Sequence, residues 1–227
     1  MKHVVVAIDG PAGAGKSTLA RRVAARLGYL YIDTGAMYRA VAVAALRAGI
    51  ALDDAWKLEQ LALGCEIELT ADARVWLNGT DVSEAIRQPE ASQASSKVSA
   101  VAGVRRAMVA QQRRLGATHS VVMEGRDIGS VVFPDAQVKV FLDADPAARA
   151  ARRVAELRQK GIPVDPAEVE REMRERDERD RNRAEAPLRQ APGAVYLDST
   201  PLAPDQVEEA ILRIVRERIS NGKEADR

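Results

Sequence analysis

Short apolar runs alternate along the chain with longer segments in which apolar residues recur at helical spacing. An unbroken apolar run of this kind is typical of a strand buried on both faces of a parallel sheet. Such runs begin at Val4, Tyr29, Ser120, Val138 and Val195. The pattern therefore predicts an α/β fold with about five parallel strands that alternate with helices.

One segment follows a different period. Residues 65–70 and 74–77 alternate between apolar and polar side chains, and Asn78-Gly79 is a strong signal for a tight turn. Asp81-Val82, directly after that turn, is expected to pair as a third short strand. These features predict a small antiparallel β insert within the α/β unit.

A long helix is predicted after the insert. Apolar residues at helical spacing extend from Ala91 to Leu115. The helix is expected to be broken or bent near Gly103, because glycine weakens a helix interior, and Gly116 is expected to end it.

Two charged helices, separated by a Gly-Pro break, are predicted in residues 146–183. Alternating charges of this kind indicate an exposed helix with ion pairs along its surface. The last turns differ, because Arg176, Asp180 and Arg183 recur at i, i+4 and i+7 on one face. We expect residues 156–183 to form a lid that closes over a polyphosphate and excludes water.

The pattern G-x-x-x-x-G-K-[ST] of a phosphate-binding loop separates the first strand from the first helix. The loop comprises Gly10, Pro11, Ala12, Gly13, Ala14, Gly15, Lys16, Ser17 and Thr18. Its glycines allow several backbone N–H groups to converge on one anion, and the following helix adds its positive end. We expect Lys16 to reach the β- and γ-phosphates of a nucleotide and Ser17 to bind Mg²⁺. The alternative is a chance match, which the flanking strand and amphipathic helix argue against.

Two other strand ends carry candidate ligand-binding groups. The second strand leads into Thr34, which is expected to cap a helix, and Arg39 follows one turn later. A plain helix cap with a solvated arginine explains these two residues equally well. The third strand leads into Arg126 and Asp127, at the edge where open α/β sheets bind ligands. These two side chains could pair with each other, but we favour a role in ligand binding.

Composition restricts the partners. The 227 residues include 34 basic and 33 acidic ones, so a net charge of +1 gives no reason to expect nucleic acid or a membrane surface as a partner. The single cysteine, Cys65, permits no internal disulfide and is expected to be a buried strand residue. The apolar run after Met1-Lys2-His3 is too short for a signal peptide or a membrane span. We therefore expect a cytoplasmic protein and, since no long apolar seam is visible, a monomer.

Four motifs taken together resemble those of the bacterial cytidylate kinase family. They are Asp9–Ser17, Asp33–Arg39, Glu124–Gly129 and Arg176–Arg183. The first motif is shared with many unrelated nucleotide hydrolases, whereas the four in this order are specific. The resemblance implies a nucleoside monophosphate kinase that uses ATP and Mg²⁺ to phosphorylate CMP or dCMP. It also implies a P-loop core of residues 1–62 and 97–227, with an inserted acceptor-binding subdomain of residues 63–96.

The resemblance further implies roles for individual residues. Those expected around the acceptor phosphate are Thr34, Arg39, Arg126 and Arg183. Those expected to contact phosphate or sugar from the lid are Arg176 and Asp180. Those expected to face the cytosine are Ser96, Arg105 and Asp127, with Ser95 as the alternative to Ser96. Those expected to be catalytic are Lys16, Arg126, Arg176 and Arg183.

The chemistry of cytosine agrees with this set. Cytosine donates from N4 and accepts at N3 and O2, so one carboxylate and one or two donors can read it. Uracil would instead place a carbonyl against Asp127, a buried mismatch that costs on the order of 1 to 3 kcal/mol. The acceptor phosphate is already ionised, so no general base is needed, and catalysis should depend on alignment and charge neutralisation.

Three other functions are less well supported. A P-loop kinase for another small acceptor, such as UMP or shikimate, would not need both the β insert and the set Ser96, Arg105 and Asp127. A GTP-dependent switch should contain the guanine-reading motif Asn-Lys-x-Asp, which this sequence lacks. An RNA-binding role for the arginine-rich helix is disfavoured by the near-neutral charge and by only two Phe residues.

Overall fold

A computed structural model of the chain describes residues 3–70 and 72–225. The strands are β1 (Val5–Asp9), β2 (Leu30–Asp33), β3 (Ile67–Leu69), β4 (Val75–Leu77), β5 (Thr80–Asp81), β6 (Val121–Gly125), β7 (Val138–Asp143) and β8 (Val195–Asp198). The helices are α1 (Lys16–Leu27), α2 (Thr34–Arg47), α3 (Ala55–Leu63), α4 (Pro89–Val98), α5 (Ala102–Thr118), α6 (Pro146–Gln159), α7 (Pro166–Asn182) and α8 (Pro204–Ala225). Single helical turns cover Ala85–Arg87 and Ile128–Val132.

Five strands form one parallel sheet in the order β2-β6-β1-β7-β8. The predicted α/β fold is therefore confirmed. Alternate residues of β1 serve opposite faces, because Val5 and Ala7 pack with α2 and α5 whereas Val6 and Ile8 pack with α1 and α8. Both faces of the sheet are thus covered, which explains why β1 and β6 are buried throughout.

The predicted β insert is a three-stranded antiparallel sheet in the order β3-β4-β5. Asn78 and Gly79, with φ of 49° and 75°, form the tight turn between β4 and β5. The third strand covers Thr80–Asp81, one residue earlier than expected. Cys65 is buried, as expected, but lies just before β3, and burial raises the pKa of its thiol to about 11.

The predicted helix over residues 91–115 is broken near Gly103, as expected. The break between α4 and α5 covers residues 99–101, and Gly103 itself lies within α5. Gly103 instead leaves room for the side chain of Glu59, which lies where a Cβ would be. The helix continues through Gly116, its expected end, to Thr118. Gly116 leaves room for the ring of Phe133, since a Cβ there would lie 2.5 Å from Cζ of that ring.

The predicted pair of charged helices corresponds to α6 and α7, which pack against each other. Asp165 caps α7 by accepting from the N–H of Ala167 at 3.0 Å. Arg183 follows the helix with an extended backbone, at φ −62° and ψ 140°, so it does not continue the helical face of Arg176 and Asp180.

None of the helices in the described part of the chain is long and apolar enough to cross a membrane. Met1 and Lys2, at the start of the segment judged too short for a signal peptide, lie outside the described residues.

Candidate active site

The candidate active site lies beyond the carboxyl ends of β1, β2 and β6. The loop before α1, the first turn of α2 and the turn after β6 meet there, because these three strands are neighbours in the sheet. Helices α4, α5 and α7 supply the remaining side chains. This is the edge at which parallel α/β sheets bind ligands.

The phosphate-binding loop has the backbone that its glycines predict. Gly10 has a φ of 153°, and a Cβ there would collide with the carbonyl oxygen of Leu142. Gly15 adopts a left-handed conformation, with φ 93°, at the start of α1. The ammonium of Lys16 is buried and donates to the carbonyl oxygen of Pro11 at 2.7 Å. Burial, together with repulsion from Arg126, lowers the pKa of Lys16 to about 7.

Glu124, a residue to which sequence reasoning assigned no role, lies at the end of β6 beside this loop. Its carboxylate is buried and accepts from the hydroxyl of Tyr31 at 2.6 Å. Burial and the nearby Asp33 raise the pKa of Glu124, and Lys16 opposes this effect. Its position in the sequence could have indicated a role. An acidic residue near the end of a buried strand, at the edge where such sheets bind ligands, is seldom buried unless it has a partner.

The start of α2 differs from the expectation in one respect. Asp33, not Thr34, caps the helix, and its carboxylate accepts from the N–H of Ala36 at 2.9 Å. Thr34 is buried and donates its hydroxyl to the carbonyl oxygen of Glu124 at 2.7 Å, which connects α2 to β6. Arg39 lies beside the cap, with Nη2 at 2.9 Å from Oδ2 of Asp33.

Arg126 and Asp127 do not pair with each other. The Nε of Arg126 donates to Oδ2 of Asp180 on α7 at 2.9 Å. Burial opposes ionisation of Asp180, but Arg126, Arg176 and Arg183 outweigh it and lower the pKa of this carboxyl. The predicted lid face therefore supplies a carboxylate to the predicted phosphate-binding arginine.

Arg176, unlike Arg126, forms no ion pair within 4 Å among the described residues. Its Nη1 donates to the hydroxyl of Ser92 at 3.3 Å, and its buried Nε has no hydrogen-bond partner among the described residues. Burial lowers the pKa of Arg176 to about 10, and repulsion from Arg126 and Arg39 adds to the effect. Several positive charges thus converge on one small volume, an arrangement that an anion would stabilise.

Asp127 lies between two arginines. Arg105, on α5, forms a buried ion pair with its Oδ2, and Nη2 of Arg183 lies 3.5 Å from its Oδ1. Burial raises the pKa of Asp127, whereas both arginines oppose the effect. The guanidinium of Arg105 also lies over the ring of Tyr38, 5.7 Å from its centroid.

The hydroxyls of the two adjacent serines on α4 have different partners. Ser95 donates its hydroxyl to the carbonyl oxygen of Ser92 within its own helix, at 2.8 Å. The hydroxyl of Ser96 instead accepts from Nε of Arg179 on α7, at 3.2 Å. Ser96 is therefore the serine whose side chain joins α4 to α7.

An arginine that the sequence did not single out connects α6 and α7 to the phosphate loop. Arg149, on α6, is 3% exposed and donates to the carbonyl oxygens of Ala144 and Ala12, each at 3.0 Å. Its Nη1 also donates to Oδ2 of Asp177 on α7, at 2.6 Å. These contacts connect Ala12 of the loop to both α6 and α7.

The sequence of the chain was compared with models of known protein families. Residues 6–217 match the model of the cytidylate kinase family, which covers most of the chain. The chain belongs to the cytidylate kinase family. The family resemblance of the four sequence motifs is thereby confirmed.

Relatives agree with this membership over nearly the whole length. The cytidylate kinase of Solibacter usitatus is 59% identical over 98% of this chain and 97% of its own. That of Syntrophotalea carbinolica is 51% identical over 96% of this chain and 94% of its own. A bifunctional pantoate ligase/cytidylate kinase of a Synechococcus strain is 47% identical over an alignment that covers 95% of this chain and 41% of that larger protein.

A solved structure of an uncharacterized protein from Eubacterium ventriosum has a TM-score of 0.50 and 12% identity, and covers 93% of this chain and 97% of its own. This likeness concerns the fold alone. The sequence relatives, in contrast, identify the chain as a cytidylate kinase family member and a phosphotransferase.

Proposed function

We propose that this chain transfers the γ-phosphoryl group of ATP to CMP or dCMP, giving ADP and CDP or dCDP. The observation that carries the proposal is the placement of Asp127, a buried carboxylate held by Arg105 and Arg183 and adjacent in sequence to Arg126. One turn of the chain thus presents a base-reading carboxylate and a phosphate-binding arginine side by side.

The acceptor phosphate would bind among the converging arginines. Arg126 and Arg176 are buried close enough for each to affect the other's charge, and Arg39 adds to the repulsion on Arg176. A phosphate dianion placed there would relieve this repulsion and could accept from the unpartnered Nε of Arg176. Thr34 and Arg183 would complete this subsite.

Cytosine would be read by groups that already have defined orientations. Asp127 would accept from the N4 amine, and Arg105 and Ser96 would donate to N3 and O2. Binding would then exchange the ion pair between Asp127 and Arg105 for contacts with the base. Uracil, which has an oxygen at position 4, would leave the carboxylate without a donor.

The donor phosphates would lie in the loop Gly10–Thr18 at the start of α1. Lys16, which donates to Pro11 in this structure, would turn to the β- and γ-phosphates, and their negative charge would raise its pKa again. Lys16, Arg126, Arg176 and Arg183 would then neutralise charge on the transferring group while the acceptor oxygen aligns with it.

The protein groups near the loop fit a magnesium ion carried by the nucleotide. The described residues contain no cluster of three acidic, His or Cys side chains that could hold a metal by itself. Ser17 is exposed, and its hydroxyl would be one oxygen ligand, with phosphate oxygens and water as the usual others for Mg²⁺. The ion would stabilise the negative charge of the phosphates during transfer.

All of these groups come from one chain, so we propose that a monomer is active. CMP, dCMP and ATP are small metabolites of the cytoplasm, where we place the enzyme. No step of this mechanism uses nucleic acid or a membrane.

The base-reading role of Asp127 is tested by Asp127→Asn. An asparagine can turn its amide N–H₂ toward the O4 of uracil, so the ratio of kcat/KM for CMP to that for UMP should fall at least about 100-fold. Asp54→Asn is the matched control, because Asp54 caps α3 through the N–H of Lys57 at 3.0 Å and lies outside the site. An unchanged ratio in Asp127→Asn would show that another group reads the base.

A further inference from the structure

The turn that carries Arg126 and Asp127 is held from another strand. Asp9, the last residue of β1, is 3% exposed, and its two carboxylate oxygens accept from the N–H groups of Ile128 and Gly129, each at 2.8 Å. These donors are 119 and 120 residues away in sequence. Both carboxylate oxygens are therefore used on the backbone of a single turn.

This arrangement changes what Asp127 is free to do. Asp127 occupies the cap position of the helical turn Ile128–Val132, yet its side chain makes no capping hydrogen bond. An aspartate at that position ordinarily accepts from the N–H of the second or third residue of its own helix. Here Asp9 accepts from the second residue, Gly129, as well as from Ile128, and the Asp127 carboxylate points to Arg105 and Arg183 instead.

We propose that Asp9 is a positioning residue for base recognition, which caps the turn after β6 in place of Asp127 and so keeps the Asp127 carboxylate available to cytosine. Asp9 does not touch the acceptor in this role. It is adjacent in sequence to Gly10, where the donor loop begins, but both oxygens of its carboxylate bind the acceptor-reading turn.

The charge on Asp9 has the surroundings that such a role requires. Burial raises its pKa to about 6, and the two backbone donors and Lys16 oppose the effect, while Asp127 adds to it. A buried carboxylate without donors would be costly, so the two N–H groups and the carboxylate satisfy each other.

The inference rests on the proposed base-reading role of Asp127, and Asp9→Asn tests it. The amide keeps the shape of the side chain but replaces one acceptor by a donor, which frees one N–H of the turn for Asp127 to cap. We expect KM for CMP to rise about tenfold and the preference for CMP over UMP to fall by a similar factor, with KM for ATP changed less than about twofold. A purely structural role, or support of the donor loop, would change KM for ATP as well.

A double-mutant cycle separates Asp9 from Asp127. If Asp9 acts through Asp127, Asp9→Asn should lower the CMP preference of the wild type but leave that of Asp127→Ala within about twofold. An equal loss in both backgrounds overturns the inference while leaving the base reader intact. If Asp127→Ala alone keeps the full CMP preference, the proposed function loses its base reader, and the role assigned to Asp9 falls with it.

If Asp9→Asn does not fold, the inference can be tested by amide hydrogen exchange in the wild-type protein without nucleotide. A turn held by Asp9 should protect the amides of Ile128 and Gly129 at least about 100-fold relative to an unstructured peptide. Exchange near the unstructured rate would show that the turn is not held before substrate arrives, and would overturn the inference.

Discussion

The Nε of Arg126 lies 2.9 Å from Oδ2 of Asp180. Arg126 follows β6 and Asp180 lies on α7, so this ion pair joins the edge of the sheet to the predicted lid helix α7. The side chains are 19% and 8% exposed, which makes the pair sensitive to loss of either partner. In the proposed function, the acceptor phosphate would bring a second negative charge to Arg126, beside that of Asp180.

Asp180→Asn should destabilise the protein chiefly when no anion is bound. Removal of one partner from a buried ion pair costs about 3 to 5 kcal/mol, which corresponds to a fall in Tm of about 6 to 20 °C for a chain of this size. Inorganic phosphate should restore at least half of this loss, because it supplies negative charge to Arg126 and Arg176. Thermal unfolding with and without phosphate measures both effects.

Asp205→Asn is the matched control for that experiment. Asp205 also pairs with an arginine, Arg22, but its side chain is 83% exposed, so its loss should change Tm by less than about 2 °C. A fall in Tm for Asp180→Asn that is the same with and without phosphate would contradict the placement of the phosphate beside Arg126.

The two serines of α4 should differ in their effect on binding. Ser96→Ala should raise KM for CMP about 5- to 20-fold, because it removes a hydroxyl proposed to contact the base. Ser95→Ala removes a hydroxyl that is bonded within its own helix, and should change KM less than about twofold. Steady-state kinetics at saturating ATP decide, and a larger effect of Ser95→Ala would assign the base contact to Ser95.

Lys16→Met should abolish phosphoryl transfer and yet stabilise the protein near neutral pH. Folding lowers the pKa of Lys16 from 10.5 to about 7, so unfolding takes up a proton between these values. The cost of the buried ammonium is therefore complete below about pH 7 and is lost progressively as pH rises toward 10.5.

The free energy gained by Lys16→Met should accordingly be about 2 to 4 kcal/mol larger at pH 6.5 than at pH 9.5. Urea denaturation at the two pH values measures this difference. Lys57→Met is the control, since the ammonium of Lys57 is 59% exposed beside Asp54 and its loss should have little dependence on pH. A gain for Lys16→Met that is equal at both pH values would show that Lys16 keeps an ordinary pKa in the folded state.

Gly125→Ala should weaken both stability and acceptor binding. A Cβ there would lie 2.7 Å from Cδ1 of Ile128 and 2.8 Å from Oγ1 of Thr34, so both residues must shift, at a cost of about 1 to 3 kcal/mol. Gly64→Ala is the control, because its Cβ would approach nothing closer than the carbonyl oxygen of Leu61 at 3.6 Å. The free energy of unfolding, measured by urea denaturation, and KM for CMP should change in Gly125→Ala but not in Gly64→Ala. An unchanged KM in Gly125→Ala would show that Thr34 does not belong to the acceptor site.

Features encoded within one short window could be predicted from the sequence. The strand β1, the glycine loop and α1 follow one another directly, and each residue type has a local physical reason. The start of α2 shows the limit of such reasoning, because Asp33 and Thr34 are both good caps and only the point at which β2 ends selects Asp33. Gly103 likewise indicated a break near it, but not its place, because residues 99–101 between α4 and α5 contain neither Gly nor Pro.

Pairing between distant charges could not be predicted. The sequence places Arg126 beside Asp127, but their partners Asp180 and Arg105 lie 54 and 22 residues away and reach them only because α7 and α5 pack over the end of β6. Tyr31 and Glu124 meet because β2 and β6 are neighbours in the sheet, although 93 residues separate them. Strand order and helix packing decide such contacts, and an arginine-rich sequence permits many alternatives.

The most direct test of the proposed function is ADP release from ATP and Mg²⁺ with CMP, dCMP, UMP, AMP, GMP, dTMP and shikimate as separate acceptors. The proposal predicts rapid turnover with CMP and dCMP, and a value of kcat/KM for UMP lower by at least about tenfold, because uracil leaves the Asp127 carboxylate unpaired. Absence of turnover with both cytidine nucleotides, or equal turnover of CMP and UMP, would contradict it.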